Sequence, residues 1–506
     1  TVPVGSRAQQ YSAIADVPGV ITFHSPKSSP NDWAPRIGFA YSPGKDGVWS
    51  IRGGVSRSFD NTYINLNQNA SPAYYQTTAD VDADHPVANF LANGGLQGAI
   101  AGANPTAEEA RQGIAAYTFD QTRPYALTGT IGVQRLLGKD YTVEVRYVYT
   151  KGVHLWNQTQ INKLSRVSAT NNIPTFMSMP SAATLASLKT TLGDLQAPSN
   201  NSLAQYGFPN TITAYHPWGN SKYHGLQMQM NKRYSKNFSY IAAFTWSHAQ
   251  DDSTATNFST ILSPRRAQDF NNMRAEWSDS ALDRRLRFTF TPNYDFKPFQ
   301  NGNWMLKNLI GNWNIALAYT YQSPEYATVQ SGVDSNLNGD SAADRAIVNP
   351  AGMANTGSAV IAYDAAGAAV ASDIPGSSLL PISRAPASTV AYVTANPNAR
   401  YIEAGLGALA NGGRNSFALA PINNFDFALM KRINFGEVKR FDIGAQFFNL
   451  FNHPQFAGGY IGDVSPYQTY AIDRSVFVPS SDQFGHYDEF FPSNARAIQI
   501  VARIVF

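Results

Sequence analysis

The chain of 506 residues contains no cysteine. That excludes disulfides, thiolate zinc sites and a cysteine nucleophile, and leaves the compartment open. Charge is scarce: Asp, Glu, Lys and Arg make up 14% of the residues, against roughly 25% in an average soluble domain. The net charge of +3 is too small to argue for nucleic acid, and no such partner is expected. Long apolar runs are missing too. No stretch approaches the roughly 18–20 apolar residues of a transmembrane helix. The most apolar one, Ala359 to Ala371, is Ala/Gly-rich and interrupted by Asp364. The opening TVPVGSRAQQ has no initial Met and no basic region followed by an apolar one, so no secretory signal is visible. A processed chain or a fragment is the expectation.

What the sequence does contain is aromatic and alternating. There are 26 Tyr and 29 Phe, hydrophobic residues reach 43%, and mean hydropathy is still −0.27. This is the balance of neither a helical membrane protein nor an ordinary enzyme. A membrane-embedded form of this chain would have to be a barrel.

Segments of period two occur in pairs: WAPRIGFAYSP with VWSIRGGVSRSF, YALTGTIGVQRLL with YTVEVRYVYT, KYHGLQMQMNKRY with FSYIAAFTWSHA, LRFTFTPNYDF with GNWNIALAYTYQ, and NFDFALMKRINF with RFDIGAQFFNLFNHPQF; a single ARAIQIVARIVF ends the chain. Most of the joins within pairs are short and turn-like (PGKDG, GKD, SKN, GEV), as in hairpins. Tyr141, Val143, Val145, Tyr147 and Tyr149 share one face, whereas Thr142, Glu144, Arg146 and Thr150 share the other. Leu286, Phe288 and Phe290 oppose Arg287, Thr289, Thr291 and Asn293 in the same way. Alternation alone fits a soluble β-sandwich as well as a barrel.

The connections between pairs decide. They run over 59–124, 151–221, 250–281, 323–423 and 453–493, mostly dozens of residues rich in Asn, Ser, Ala, Gly and Pro. Structureless connections of that length argue against a compact soluble domain. Short turns alternating with long loops are the pattern of outer-membrane barrels, short on the periplasmic side and long outside. Strand lengths fit the roughly 9–11 residues that cross a bilayer at a tilt. The expected fold is therefore all-β, a transmembrane antiparallel β-barrel in the outer membrane of a Gram-negative bacterium. Eleven strands are counted, but single-chain bacterial barrels have an even number. A final strand running inward places residues 1–32 in an extracellular loop, and residues 33–506 then form the C-terminal half of a barrel of twenty-two strands, the number found in large plugged transporters.

These residues match a family. PRIGFAYSP at 35–43, WSIRGGVSRSFD at 49–60, FNLFNHPQF at 448–456 and a terminal strand ending in Phe506 resemble the C-terminal barrel of TonB-dependent receptors, with the likeness directed to the Oar-like branch. The resemblance implies active uptake across the outer membrane. It also implies partners: membrane lipid, an N-terminal half with the plug domain, and a TonB-type energy coupler engaged through that missing part. The cargo class it implies is scarce or bulky: a metal chelate, a glycan fragment or a peptide. A second reading keeps the barrel and makes the long loops an adhesin or docking platform for extracellular proteins. A third is a soluble secreted all-β binding protein.

One local motif points to a cofactor. In DSNLNGDSAADR, Asp334, Asn336, Asn338 and Asp340 alternate around Gly339, like the first half of a calcium loop. Arg345 stands where the bidentate Glu of such a loop belongs, and Asp344 is a partial substitute. The competing reading is an Asx-rich surface turn. Asp251 and Asp252, beyond a strand end, are either ligand contacts at the barrel mouth or solvated acids. His216, His224, His248 and His453 are scattered without metal spacing. GGLQGAIAGAN at 94–104 follows no strand and makes a poor phosphate cradle, and RSFDNTYINLNQN reads as loop. No nucleophile elbow appears, so no catalytic site is expected. Glu144, Arg146, Arg287 and Asp442 are expected on the lumen side, lining a substrate path or paired against a plug.

Overall fold

Strict alternation builds strands with two unlike faces. The computed structural model describes residues 14–23, 32–44, 46–60, 106–118, 122–253, 262–264, 266–299, 301–435, 439–456, 476–491 and 493–506. Its main sheet follows a path of eleven strands, each paired with its sequence neighbour on that path. They are β1 (Arg36–Tyr41), β2 (Trp49–Phe59), β3 (Tyr125–Leu137), β4 (Tyr141–Gln160), β5 (Thr213–Ser235), β6 (Phe238–Asp251), β7 (Leu286–Phe296), β8 (Trp313–Gln322), β9 (Ile422–Asn434), β10 (Arg440–Phe448) and β11 (Ala497–Val505). All ten pairings along the path are antiparallel. Among the described residues β1 and β11 are the two ends of the path and do not pair with each other.

The hairpin chemistry is local. Ser235 pairs with Phe238, leaving Lys236 and Asn237 as a two-residue turn with φ of 50° and 63°. Two positive φ values match the twist of the flanking strands. The β3–β4 turn uses Gly138 at φ 62°. The GEV turn at 436–438 and the glycine-rich 94–104 lie outside the described residues.

Register carries the face assignment across the whole sheet. Residues directly opposite one another in an antiparallel pair share a face. Ile51, Val133, Val145, Met228, Phe244, Phe288 and Tyr321 are opposite one another in successive strands. One residue along, Arg52, Gly132, Arg146, Gln227, Thr245, Arg287 and Gln322 form the parallel row. The two rows point to opposite faces, one apolar and one polar. The apolar face is not covered: Ile131 is 53% exposed and Trp246 60%. A soluble sandwich would bury such a face against a second sheet.

Two strands run further than their alternation suggested. β4 continues to Gln160 and β5 begins at Thr213, paired at their far ends. The register shifts on either side of Leu155, across His154 and across Trp156; His154 has a φ of 57°, and this irregularity breaks the alternating pattern. At about 3.3 Å per residue, strands of 20 and 23 residues extend well past a bilayer.

In an antiparallel meander every second connection lies at the same end, so the long connections gather at one edge of the sheet. The connections 151–221 and 323–423 are not the unpatterned solvated loops that the sequence suggested. Residues 323–421 and 161–212 fold together into a cap. Its four-stranded sheet orders Ala369–Ser372, Val360–Asp364, Thr389–Thr394 and Thr175–Phe176, the last contributed by the other connection. The apolar stretch 359–371 is a hairpin in this sheet, turned at Gly367 with φ 83°. The hydrophobic core of the protein is here. One cluster joins Ile173, Leu192 and Leu195 to Val360, Tyr392 and Ile402. A second joins Leu262, Tyr401 and Phe417 to Phe477, Phe484 and Phe491. Strands of two to six residues are too short to leave a period in the sequence.

Candidate functional site

The cap is held to the sheet by buried ions. Asp251, the last residue of β6, pairs with Arg414 of the cap. Arg414 also donates through Nε to the backbone carbonyl of Glu276 at 3.1 Å, and the Glu276 carboxylate pairs with Arg345. All four residues are buried. Asp251 is thus neither a solvated acid nor free for a ligand. Its neighbour Asp252 accepts from the Asn220 amide at 2.9 Å, and burial raises its pKa above the ordinary carboxylate value.

The loop from Asp334 to Arg345 enters this network. Asp334 accepts from the amides of Asn338 (3.0 Å) and Gly339 (2.7 Å). Asn336 Oδ1 accepts from the Asn338 amide at 2.9 Å, and Asn338 Oδ1 from the Asp340 amide at 2.8 Å. Gly339 stands at φ 88°, a conformation that favours glycine. Asp340 is bound by the guanidinium of Arg266, with Nη2 to Oδ1 at 2.7 Å. Asn336, Asn338, Asp340 and Asp344 are all buried. A turn of this composition is ordinarily solvated; here only Gly339 and Ser341 are exposed.

Three further features were not legible beforehand. Glu403 is fully buried; burial, then the nearby Asp373, pushes its carboxyl well above the usual range. Asp373 borders an open pocket of about 900 Å³ that also includes Arg384 and Asp482. His248, Asp279 and Asp283 bring ligand atoms together as a metal site would. Arg285 already fills that position, donating to Asp283 and Asp279 at 2.6 Å each. His216 and His224 stay apart from it: His216 bonds Thr159 at 2.9 Å and His224 bonds Tyr147.

On the polar face, Arg146 pairs with Glu144, and both border a recess of about 480 Å³ together with Arg52 and Gln134. Asp442 accepts from Arg432 at 2.9 Å and lies 3.5 Å from Arg440. Arg287 occupies the same row as Arg146 by register.

A sheet with one uncovered apolar face, one charged face and a cap over one end is the form of a protein that crosses a membrane with strands. The sequence matches the family described as an outer membrane beta-barrel domain over residues 13–499. The chain belongs to that family. It is accordingly an outer-membrane β-barrel protein, and among the described residues no helix is long and apolar enough to cross a membrane.

Solved structures similar in fold are outer-membrane transporters and receptors. The outer membrane transporter YddB from Escherichia coli is 10% identical, with 91% of this chain and 39% of that chain covered and a TM-score of 0.37. The siderophore receptor PiuA from Acinetobacter baumannii is 9% identical, with coverages of 93% and 35% and a TM-score of 0.36. The ferric yersiniabactin uptake receptor FyuA from Yersinia pestis is 9% identical, with coverages of 93% and 37% and a TM-score of 0.37. The chain therefore spans less than two fifths of the length of each of these. No curated protein matches the sequence.

Proposed function

We propose that this chain forms part of a TonB-dependent outer-membrane transporter of the Oar-like branch, its eleven strands being the C-terminal half of a 22-stranded barrel. The observation that carries this reading is the pair of sheet edges, β1 and β11, left open among the described residues on strands with an uncovered apolar face. In lipid each unpaired backbone group costs several kcal/mol, so spanning sheets close. The strands that close this one come from the N-terminal half, which also carries the plug and engages the energy coupler. Residues 1–32 and the long connections lie on the extracellular side in this arrangement. The charged face, with Arg146, Glu144, Arg287 and Asp442, turns toward the plug and the substrate path. The cap, with its open pocket beside Asp373, takes the cargo first: a metal chelate, a glycan fragment or a peptide.

The test is to sequence and weigh everything that purifies with the chain from outer membranes. A plug-bearing segment in equal amount is expected. A closed, heat-modifiable barrel formed by this chain alone would reject the half-barrel assignment. Cargo uptake that persists without an inner-membrane coupler would reject energy-coupled transport, and no uptake at all would leave docking.

A further inference from the structure

Two observations meet in the loop after Val333. The first is the ligand spacing, Asp334, Asn336 and Asn338, closed by Gly339 in the left-handed conformation. The second lies at the far end of the loop. Asp344 is 0% exposed, and neither of its carboxylate oxygens has a partner at full hydrogen-bond geometry, although the Ser335 and Asn336 amides and the Asp334 carboxyl bear on it. Its charge bears on Asp334 and Asp340. The loop's ion pairs go to Asp340 and Arg345, not to Asp334 or Asp344. An ionised carboxylate buried in this way is untenable without a proton or a cation.

We propose that the loop from Asp334 to Asp344 binds one hard divalent cation of the calcium class, with the carboxylates of Asp334 and Asp344 as charged ligands and the amide oxygens of Asn336 and Asn338 as neutral ones. An amide oxygen has two lone pairs, so those that accept from backbone N–H groups keep one for the ion. Oxygen-only donors select calcium or magnesium over zinc or copper. Asp334 borders an open pocket of about 310 Å³ with Arg166 and Asn200, which provides a way in. Asp340 has a different part: clamped by Arg266, it fixes the loop's second half. Leu337, between the ligands, sits in the cap's main core with Ile173 and Leu195. The cation therefore locks the connection 323–421 against the connection 161–212.

The test uses the full chain in detergent, stripped with a chelator and titrated with calcium, and in parallel with terbium for its sensitised luminescence. One equivalent should bind, with a dissociation constant of about 10⁻³ M or tighter, as in extracellular calcium modules. At ten times that concentration, protease cleavage within 323–421 should slow about tenfold. Asp344→Asn should abolish both effects. In chelator, however, its cap should resist protease better than the parent's, because the buried acid is gone. Asp334→Asn should also lose binding, and Glu403→Gln, outside the loop, should keep it. No bound calcium at millimolar supply would overturn the proposal, as would an Asp344→Asn chain that is still protected by calcium. This test is independent of the transport reading.

Discussion

Arg414 and Asp251 meet as a buried ion pair across 163 positions of chain. One belongs to the cap and the other ends β6, so this contact ties the folded connections to the membrane sheet. Removing one partner leaves a buried charge uncompensated, at a cost of about 3–5 kcal/mol. Arg414→Met should therefore raise amide exchange throughout the cap while leaving β3 to β7 protected. Adding Asp251→Asn should recover part of the loss, since the orphaned carboxylate disappears. Equal exchange in parent and single variant would show that the pair does not hold the cap.

Glu403 makes the cap sensitive to alkali. Its folded carboxyl titrates well above an unfolded one because of burial and Asp373; Val360 donates to it at 3.3 Å. The folded state thus holds its proton over a range in which the unfolded state has lost it. The stabilisation from Glu403 is complete below about pH 4.3 and falls as pH rises toward the folded value. Glu403→Gln keeps the shape and removes the titration. The variant's cap should have a flatter stability profile from pH 5 to 9, read by thermal unfolding. An unchanged slope would reject the assignment.

Asn449 and Asn452 give FNLFN its structure. Both have positive φ, 51° and 54°, and the strand stops at Phe448. The Asn449 side chain donates to the carbonyls of His453 (2.9 Å) and Asn494 (2.7 Å) and accepts from the His453 amide. It thereby joins the end of β10 to the approach to β11. Asn449→Ala loses these bonds and strains the backbone, for about 1–3 kcal/mol. Asn449→Gly relieves only the strain and should be intermediate. Unfolding midpoints of the three chains check the order.

The absence of cysteine permits a clean map of the two faces. Cysteines placed singly at Val145 and Phe288 should be shielded from a charged thiol reagent in membranes and react with a lipid-soluble one. Cysteines at Arg146 and Gln227 should show the reverse pattern. Mixed labelling along either row would contradict the face assignment read from register.

The sheet was legible in the sequence because alternation is a local code: each residue's face follows from its neighbours two positions away. Phe288 and Arg287, or Val145 and Arg146, needed no tertiary information to be placed on opposite faces. YALTGTIGVQRLL and LRFTFTPNYDF coincide with β3 and β7 residue for residue. Alternation failed at His154, where a bulge hides ten further residues of β4, and at Asn449, where it stops for a turn. The cap was illegible for a different reason. Its strands are short, its polar residues are satisfied by partners far along the chain, and Arg414 with Asp251 or Glu403 with Asp373 have no sequence signature. The calcium-like spacing stood in the sequence at Asp334, Asn336 and Asn338. Only the tertiary structure buried Asp344 beside them without a cationic partner and turned Asp340 toward Arg266, because burial and long-range pairing are properties of the fold and not of the local chain.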